Sequence, residues 1–281
     1  MPLNILPYAD VPPSAKATFM GGNTLAFENL DWFSTDHWLT QGGCFAAVEE
    51  QRVKAVLSAS PECSNAAWLR FFRAERDGYH GKYFHALLAE AKEALANMGV
   101  RSLFSLAPHD WLENLLEREG FRSYDTIVTL QRVSPLTEDF EPDPNIVIRA
   151  MTHRDLAAVR AIDLAAFEPA WQLNLASLEK IYHLSSWHTI ALLGGEVVAY
   201  QMSTTAFDTA HLARLAVLPK LQGQGIGRSL VLQILDVFSE TGTNSFSVNT
   251  QESNAHSLAL YTSLGYKRDN RDILVMSLEI L

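Results

Sequence analysis

The chain has 281 residues, of which 48% are apolar and 19% charged, and its formal net charge is −10 at pH 7. This length exceeds one typical domain and predicts two, whereas the acidic balance argues against a general nucleic-acid-binding protein. No apolar stretch approaches the roughly 18 residues that span a bilayer, so we expect a cytoplasmic protein that does not enter a membrane.

The amino-terminal half predicts strands that alternate with helices. Residues 50–57 are typical of the second arm of a hairpin, and the loop Arg76–Gly81 is rich in turn-forming residues. After this loop the pattern predicts a helix over Lys82–Asn97, a strand over Val100–Leu106 and a short helix over Trp111–Glu119.

A linker is predicted over Ser134–Asn145. It holds three prolines and four acidic residues, a composition that favours an extended connection rather than a packed element. The sequence therefore predicts one domain over residues 1–133 and a second over residues 146–281.

The carboxy-terminal half predicts the order β-α-α-β-β-β-α-β-α-β. Thr152 and Asp155 have the spacing of a capping box at the start of a helix, and Gly194-Gly195 is typical of a two-residue hairpin turn. The predicted elements are a strand at Ile146–Arg149, helices near 156–162 and 175–182, strands at Thr189–Leu193, Glu196–Thr204 and Ala210–Val217, a helix at Ser229–Ser239, a strand at Ser245–Thr250, a helix after Asn254 and a strand at Ile273–Leu278.

The most informative segment is the glycine-rich loop between residues 217 and 229. Gly223, Gly225 and Gly227 allow positive φ and let backbone N–H groups approach an anion. The helix that follows adds first-turn donors and the positive end of its dipole. The G-x-G-x-G spacing fits neither the dinucleotide fingerprint nor a Walker A loop. A phosphate-binding loop of another type and a flexible turn before a surface helix remain as alternatives.

Two motifs together resemble the GNAT superfamily of acyl-CoA N-acyltransferases. The first is Gln222-x-x-Gly225-x-Gly227 after a strand that ends in Leu-Ala-Val. The second runs from Asn254 to Tyr266 and matches N-x-x-[AS]-x-x-[LF]-Y-x-x-x-G-[FY]. The resemblance is strong over 146–281, where it is closest to the ribosomal-protein alanine N-acetyltransferases, and faint over 1–133. It implies an α/β fold of two tandem GNAT-like domains, each a mixed, mostly antiparallel sheet flanked by helices.

The resemblance also implies roles for individual residues. The strand before the loop would pair with the pantetheine arm of acetyl-CoA, and the loop would bind the pyrophosphate. Asn254 is expected both to cap its helix and to contact the cofactor, and Tyr261, seven residues on and on the same predicted face, would donate a proton toward sulfur. The cofactor-binding residues predicted in this way are Leu215, Ala216, Val217, Gln222, Gly223, Gln224, Gly225, Ile226, Gly227, Arg228 and Asn254.

The general base is the weak element of the motif set. A glutamate serves in the relatives, but the matching residue here is Asn249, and an amide cannot accept the proton. Glu168 is the predicted base because its segment borders the acceptor site in relatives. His211 is a second candidate, since imidazole titrates near neutral pH. Each also has a simpler interpretation, as a surface carboxylate and as a packed strand residue.

The two halves look duplicated. Gly120 lies 65 residues after Ala55, and Gly265 lies 66 residues after Ala199. Tyr79 stands where the second half has Gly225, and the first half has Leu116 at the place of Tyr261. We therefore expect the first domain to be degenerate and without turnover, although retained CoA binding in its loop is an alternative.

The sequence thus predicts an N-acetyltransferase that moves an acetyl group from acetyl-CoA to a primary amine in a ternary complex. The acceptor is a peptide or protein N-terminus or a small amine, and no motif selects between them. The rival function is a non-catalytic acyl-CoA-binding regulatory or interaction protein. No metal is expected, because the nine histidines lack zinc-ligand spacing. A monomer or homodimer and no nucleic-acid partner complete the expectations.

Overall fold

A computed structural model describes residues 3–20, 22–63, 65–133, 144–240 and 242–280. The chain forms two compact units, one of Met1–Tyr124 with Leu274–Leu281 and one of Asp125–Ile273. The strands are β1 (Asn4–Pro7), β2 (Thr24–Glu28), β3 (Cys44–Glu49), β4 (Arg52–Cys63), β5 (Ala66–Glu75), β6 (Ser102–Ala107), β7 (Arg122–Val133), β8 (Ile146–Ala150), β9 (Trp187–Leu193), β10 (Glu196–Ala206), β11 (Thr209–Val217), β12 (Ser245–Gln251), β13 (Lys267–Arg268) and β14 (Ile273–Glu279). The helices are α1 (Pro13–Met20), α2 (Thr35–Leu39), α3 (His80–Asn97), α4 (Asp110–Arg118), α5 (Leu156–Ala166), α6 (Leu175–Leu184), α7 (Ile226–Glu240) and α8 (Ala255–Ser263).

The first unit is built on a mixed sheet with the strand order β1-β3-β4-β5-β6-β14. Among the strand pairs described for this unit, β5 and β6 are the parallel one, and α3 makes the crossover between them. The apolar face of α3, which includes Phe84, Leu87, Ala91 and Leu95, is fully buried, as the spacing of these residues requires. The short strand β2 is not part of this order; it pairs antiparallel with β5.

The second unit repeats the plan with the order β7-β12-β11-β10-β9-β8. Here β11 and β12 are the parallel pair, and α7 connects them. Val231, Leu235 and Phe238 of α7 pack into one core cluster with residues of β11 and β12. This packing fixes the start of α7 at the end of β11.

The predicted domain boundaries differ from the compact units at the last strand of each. In chain order β7 closes the first half, but it pairs with β12 of the second unit. In turn β14, the last strand of the chain, pairs with β6 of the first unit. The alternation of apolar residues identifies a strand but not its partner, so two equivalent edge strands can exchange without any local signal.

The predicted elements are otherwise confirmed to within a few residues. Asp155 accepts from Thr152 N at 2.8 Å, as a capping box requires, and its side chain also accepts from Thr152 Oγ1 at 2.9 Å. Gly194 and Gly195 both have positive φ in the β9–β10 turn. Most of the predicted linker, residues 134–143, lies outside the described residues. Among the helices that the structure describes, none is both long and apolar enough to cross a membrane.

Candidate cofactor cleft

The second unit contains a strand whose edge leaves its neighbour. The parallel ladder joins Thr209–Leu212 of β11 to Ser245–Val248 of β12. Beyond Leu212, β11 continues to Val217 in register with β10, after a bulge opposite Met202 and Ser203. A bulge bends and twists the strand that contains it, so the last five residues of β11 diverge from β12. Their outer backbone groups face an opening in the sheet.

The glycine loop begins where this strand ends. Gln222 Nε2 donates to the carbonyl oxygen of Val217 at 3.1 Å, which ties the loop to the strand. Gly223 and Gly225 have φ values of 76° and 84°, and a Cβ at either position would meet nothing within 4 Å. The need for glycine is therefore conformational, because a side chain there would strain the backbone rather than clash.

The freed strand, the loop and α8 enclose a cleft of about 430 Å³. Every predicted cofactor-binding residue lines it except Gln224, whose side chain donates to the carbonyl oxygen of Lys220 at 3.4 Å. The remaining lining residues were missed by the sequence analysis because no motif marks them. They are Ala166, Phe167, Leu221, His256, Ser257, Ala259, Leu260 and Ser263.

The loop end of the cleft is suited to an anion. The first-turn N–H groups of α7 have no acceptor within the helix, and the helix dipole adds positive potential at this end. Arg228 lines the cleft, and its Nη1 lies 3.3 Å from Ser263 Oγ on α8. Gly227 lies where α7 packs on β11 and α8, since a Cβ there would sit 3.6 Å from both Val217 and Leu260.

Asn254 and Tyr261 do not share a surface as the sequence analysis expected. Asn254 lines the cleft and caps α8, with its Oδ1 accepting from Ser257 N at 3.1 Å. Tyr261 is buried in the core cluster, and its ring centroid lies 5.6 Å from that of Tyr266. A seven-residue spacing places two side chains on one face only when both residues are helical. Asn254 is the N-cap residue and has a non-helical ψ of 73°, so its side chain is not aligned with that of Tyr261. Burial raises the pKa of the Tyr261 hydroxyl, so it keeps its proton at neutral pH.

The two candidate bases occupy different environments. Glu168 lies exposed in the segment after α5, and its backbone carbonyl accepts from Trp171 N at 2.8 Å. His211 lies in the paired part of β11, with Nδ1 2.9 Å from Ser247 Oγ on β12. Burial lowers the pKa of His211, which favours the neutral imidazole that a base requires. Neither residue lines the cleft, and Asn249 is exposed on β12.

The equivalent edge in the first unit is covered by the chain itself. Here the parallel ladder joins Ala66–Trp68 to β6, and beyond it β5 continues toward Glu75 without β6. Strand β2 pairs with this continuation, from Thr24 opposite Glu75 to Glu28 opposite Phe71. The contact extends further, because Asn29 N donates to the carbonyl oxygen of Arg70 at 2.9 Å.

A buried ion cluster holds this covering segment in place. Arg70 Nη1 lies 2.7 Å from Asp31 Oδ2, and its Nη2 bonds to Glu62. The loop at the end of β5 is also occupied, because Asp77 Oδ1 accepts from Tyr79 N at 2.9 Å and its Oδ2 accepts from the Tyr83 hydroxyl at 2.8 Å. A carboxylate at this position would repel a phosphate. In the described part of the first unit, the equivalent strand edge is thus paired and the loop contains a carboxylate, although Glu75, Arg76 and Asp77 border a cavity of about 590 Å³.

Comparisons with known proteins agree with this geometry. Residues 156–266 match the model of the acetyltransferase (GNAT) family. The chain contains a GNAT domain. The family prediction is thereby confirmed, and the matched range holds the strand edge, the loop and α8 that form the cleft.

A curated relative matches part of the chain. The [ribosomal protein bS18]-alanine N-acetyltransferase of Escherichia coli strain K12 is 35% identical over 72 residues, which are 26% of this chain and 49% of that protein. The chain thus spans about half the length of this relative.

Solved structures match both units. A GCN5-related N-acetyltransferase from Sphaerobacter thermophilus has a TM-score of 0.61 at 15% identity, covering 99% of this chain and 96% of its own. A tandem GNAT protein from the clavulanic acid biosynthesis pathway has a TM-score of 0.59 at 14% identity, covering 100% and 99%. At these identities the comparison shows the fold alone, and it confirms the predicted tandem arrangement of two GNAT folds.

Proposed function

We propose that the protein is an acetyl-CoA-dependent N-acetyltransferase whose single catalytic centre lies in the second unit. The observation that carries the proposal is the joining of a free strand edge and a glycine loop in one cleft. The strand edge suits the amide-containing pantetheine arm, and the loop suits the pyrophosphate, so the cleft matches both chemical ends of CoA.

The residues of the cleft then divide the work of acyl transfer. Leu215, Ala216 and Val217 orient the pantetheine and bring the thioester to the diverging part of the sheet. Backbone N–H groups near Val217 stabilise the oxyanion of the tetrahedral intermediate. Tyr261 is buried and does not line the cleft, but we keep it as the proposed donor of a hydrogen bond toward the departing sulfur, because its raised pKa keeps the hydroxyl protonated.

The acceptor must lose a proton before it attacks. A primary amine is mostly protonated at neutral pH, so a base acting directly or through water is required. We keep Glu168 as the proposed base, with His211 as the second choice. We include peptide N-termini in the acceptor class because a relative is named as a ribosomal-protein-alanine N-acetyltransferase.

The test is the release of free CoA thiol from acetyl-CoA in the presence of an acceptor panel. The panel includes peptides that begin with alanine, polyamines, amino acids and aminoglycosides. We expect amine-dependent release above background hydrolysis for at least one class. Binding of acetyl-CoA with no release for any amine would favour the rival function, a non-catalytic acyl-CoA-binding protein, and absence of binding would defeat both.

A further inference from the structure

A buried ion pair joins three elements of the second unit beside the cleft. Asp163 of α5 is fully buried, and its Oδ2 accepts from Arg214 Nε at 2.9 Å and from Arg214 Nη2 at 2.7 Å. The Tyr200 hydroxyl of β10 donates to the same oxygen at 2.5 Å. Burial raises the pKa of Tyr200 well above its ordinary value, so it remains a donor. The carboxylate therefore connects α5 with β10 and β11.

The same pair also fixes the segment that follows α5. Arg214 Nη2 donates to the carbonyl oxygen of Trp171 at 2.6 Å, and its guanidinium carbon lies 3.6 Å from the centre of the Phe167 ring. On the other side, Asp163 Oδ1 accepts from Leu173 N at 2.9 Å. Both members of the ion pair thus reach residues 167–173, which form no helix or strand of their own.

This segment borders the cofactor cleft. Phe167 lines the cleft together with Leu215, the residue that follows Arg214 on β11. The flat face of the guanidinium supports the ring from behind, as cation–π contacts do. The segment also contains Glu168, the proposed base. Its position therefore controls both a wall of the cleft and the approach to that carboxylate.

An arginine suits this place better than other residues would. Its planar group can hold a carboxylate with two donors, bond a carbonyl and stack on a ring at the same time, whereas a lysine has a compact charge without a flat face. Buried ion pairs are on average no more stabilising than apolar packing. Fold stability alone therefore does not explain the pair, and a need to hold the 167–173 segment in one geometry does.

We propose that Asp163 and Arg214 are positioning residues that hold the 167–173 segment as the acceptor-side wall of the cleft, with Tyr200 completing the network. The inference rests on the proposed acetyltransferase function, because it assigns this segment to the use of the amine. The proposal assigns different tasks to two parts of the site. The glycine loop binds acetyl-CoA, and the buried pair sets how the bound thioester meets the amine.

The experiment compares Arg214→Lys with Arg149→Lys. Arg149 pairs with Asp155 at the amino-terminal end of the α5 region, 2.8 Å apart, and lies away from the 167–173 segment in sequence. Arg149→Lys therefore controls for the loss of an arginine–aspartate pair. Three quantities are measured for each variant: the acetyl-CoA dissociation constant by calorimetry, kcat/KM for the amine, and hydrogen exchange of residues 167–173 by mass spectrometry.

For Arg214→Lys we expect faster exchange in residues 167–173 and a kcat/KM for the amine lowered by roughly tenfold or more, because a misplaced wall disturbs the attack geometry. The acetyl-CoA dissociation constant should stay within roughly twofold, and Arg149→Lys should leave all three quantities near wild type. If Arg214→Lys does not fold, Tyr200→Phe takes its place in the experiment. This variant keeps both charges and removes one donor to Asp163, so it should give a smaller change of the same kind.

Two results would overturn the inference. One is unchanged exchange and unchanged amine kinetics in Arg214→Lys, and the other is a loss of acetyl-CoA affinity that accounts for the whole kinetic change. Failure of the proposed function is distinguishable, because it appears as a wild-type protein that acetylates no amine. In that case hydrogen exchange still tests the positioning role. If the Leu173 amide exchanges slowly in the wild type and equally slowly in Arg214→Lys, the positioning role is rejected.

Discussion

The two units use the same strand in opposite ways. In both units the central strand contains a bulge near the point where it leaves its parallel neighbour. The bulge lies opposite Ser58 and Ala59 of β4 in the first unit and opposite Met202 and Ser203 of β10 in the second. In the second unit the freed edge borders an open cleft. In the first unit β2 fills it with the chain's own backbone.

This difference shows how a duplicated fold can lose a ligand site without losing its framework. A free strand edge has unpaired N–H and C=O groups that need a partner. A pantetheine arm can supply that partner, and so can a short strand inserted between α1 and α2. Once the edge is paired internally, the loop has no phosphate to bind, which is consistent with Asp77 and Tyr79 in its turn.

The largest effect is expected from removing the side chain that secures the covering strand. Phe27 of β2 is 2% exposed and pairs in register with Phe72. Phe27→Ala should lower the free energy of unfolding by about 3 to 5 kcal/mol, measured by denaturant titration. The neighbouring Leu30→Ala is the control, since Leu30 is 65% exposed and should change little. Equal effects of the two variants would argue against a packed β2.

The next effect concerns the two loops. Gly225 and Gly78 have similar φ values, 84° and 86°, and open space around an added Cβ, so valine should strain both backbones alike. Gly225→Val should weaken acetyl-CoA binding by about 100-fold, comparable with losing two hydrogen bonds to charged groups. Gly78→Val should leave the affinity unchanged in calorimetry. A loss of affinity in Gly78→Val would show that the first loop takes part in binding.

A third comparison tests the phenol that the first unit lacks. Tyr261→Phe should lower kcat by about 100-fold while leaving acetyl-CoA affinity near wild type, because general acid catalysis contributes on that scale. Tyr266→Phe is the matched control, as its ring is equally buried and lies 5.6 Å away. The account of Tyr261 is wrong if steady-state kinetics show both variants equally active.

The smallest effect is a pH dependence confined to the second unit. In the second unit His211 of β11 is paired with Ser247 of β12. At the same distance from the bulge, the first unit has Trp68 of β5 paired with Phe104 of β6. Burial lowers the pKa of His211, so the unfolded chain binds more protons below about pH 6.5. The unfolding free energy should therefore fall as the pH drops through this range.

His211→Gln should remove the part of the pH dependence between pH 7 and pH 5 that comes from this imidazole. Denaturant titrations at the two pH values give the measurement. His188→Gln serves as the comparison, because burial also lowers the pKa of His188 on β9. An unchanged slope in His211→Gln would show that this imidazole is not the titrating group.

Local sequence patterns predicted the elements and most of the cleft. Glycines at 223 and 225 are required by the positive φ values of the loop itself, and the apolar spacing of α7 is a property of one helix. The covering of β5 by β2, the exchange of β7 and β14, and the Asp163–Arg214 pair depend instead on which distant segments meet. Phe167 was missed for the same reason, because its role comes from the guanidinium behind it.

The most direct test of the account is the number of acetyl-CoA molecules bound per chain, measured by calorimetry on the wild-type protein and on Gly225→Val. We predict one molecule per chain in the wild type and, in the variant, the roughly 100-fold weaker binding given above. Two molecules per chain, or a single one retained in full by Gly225→Val, would contradict the conclusion that only the unit with the unpaired strand edge binds acetyl-CoA.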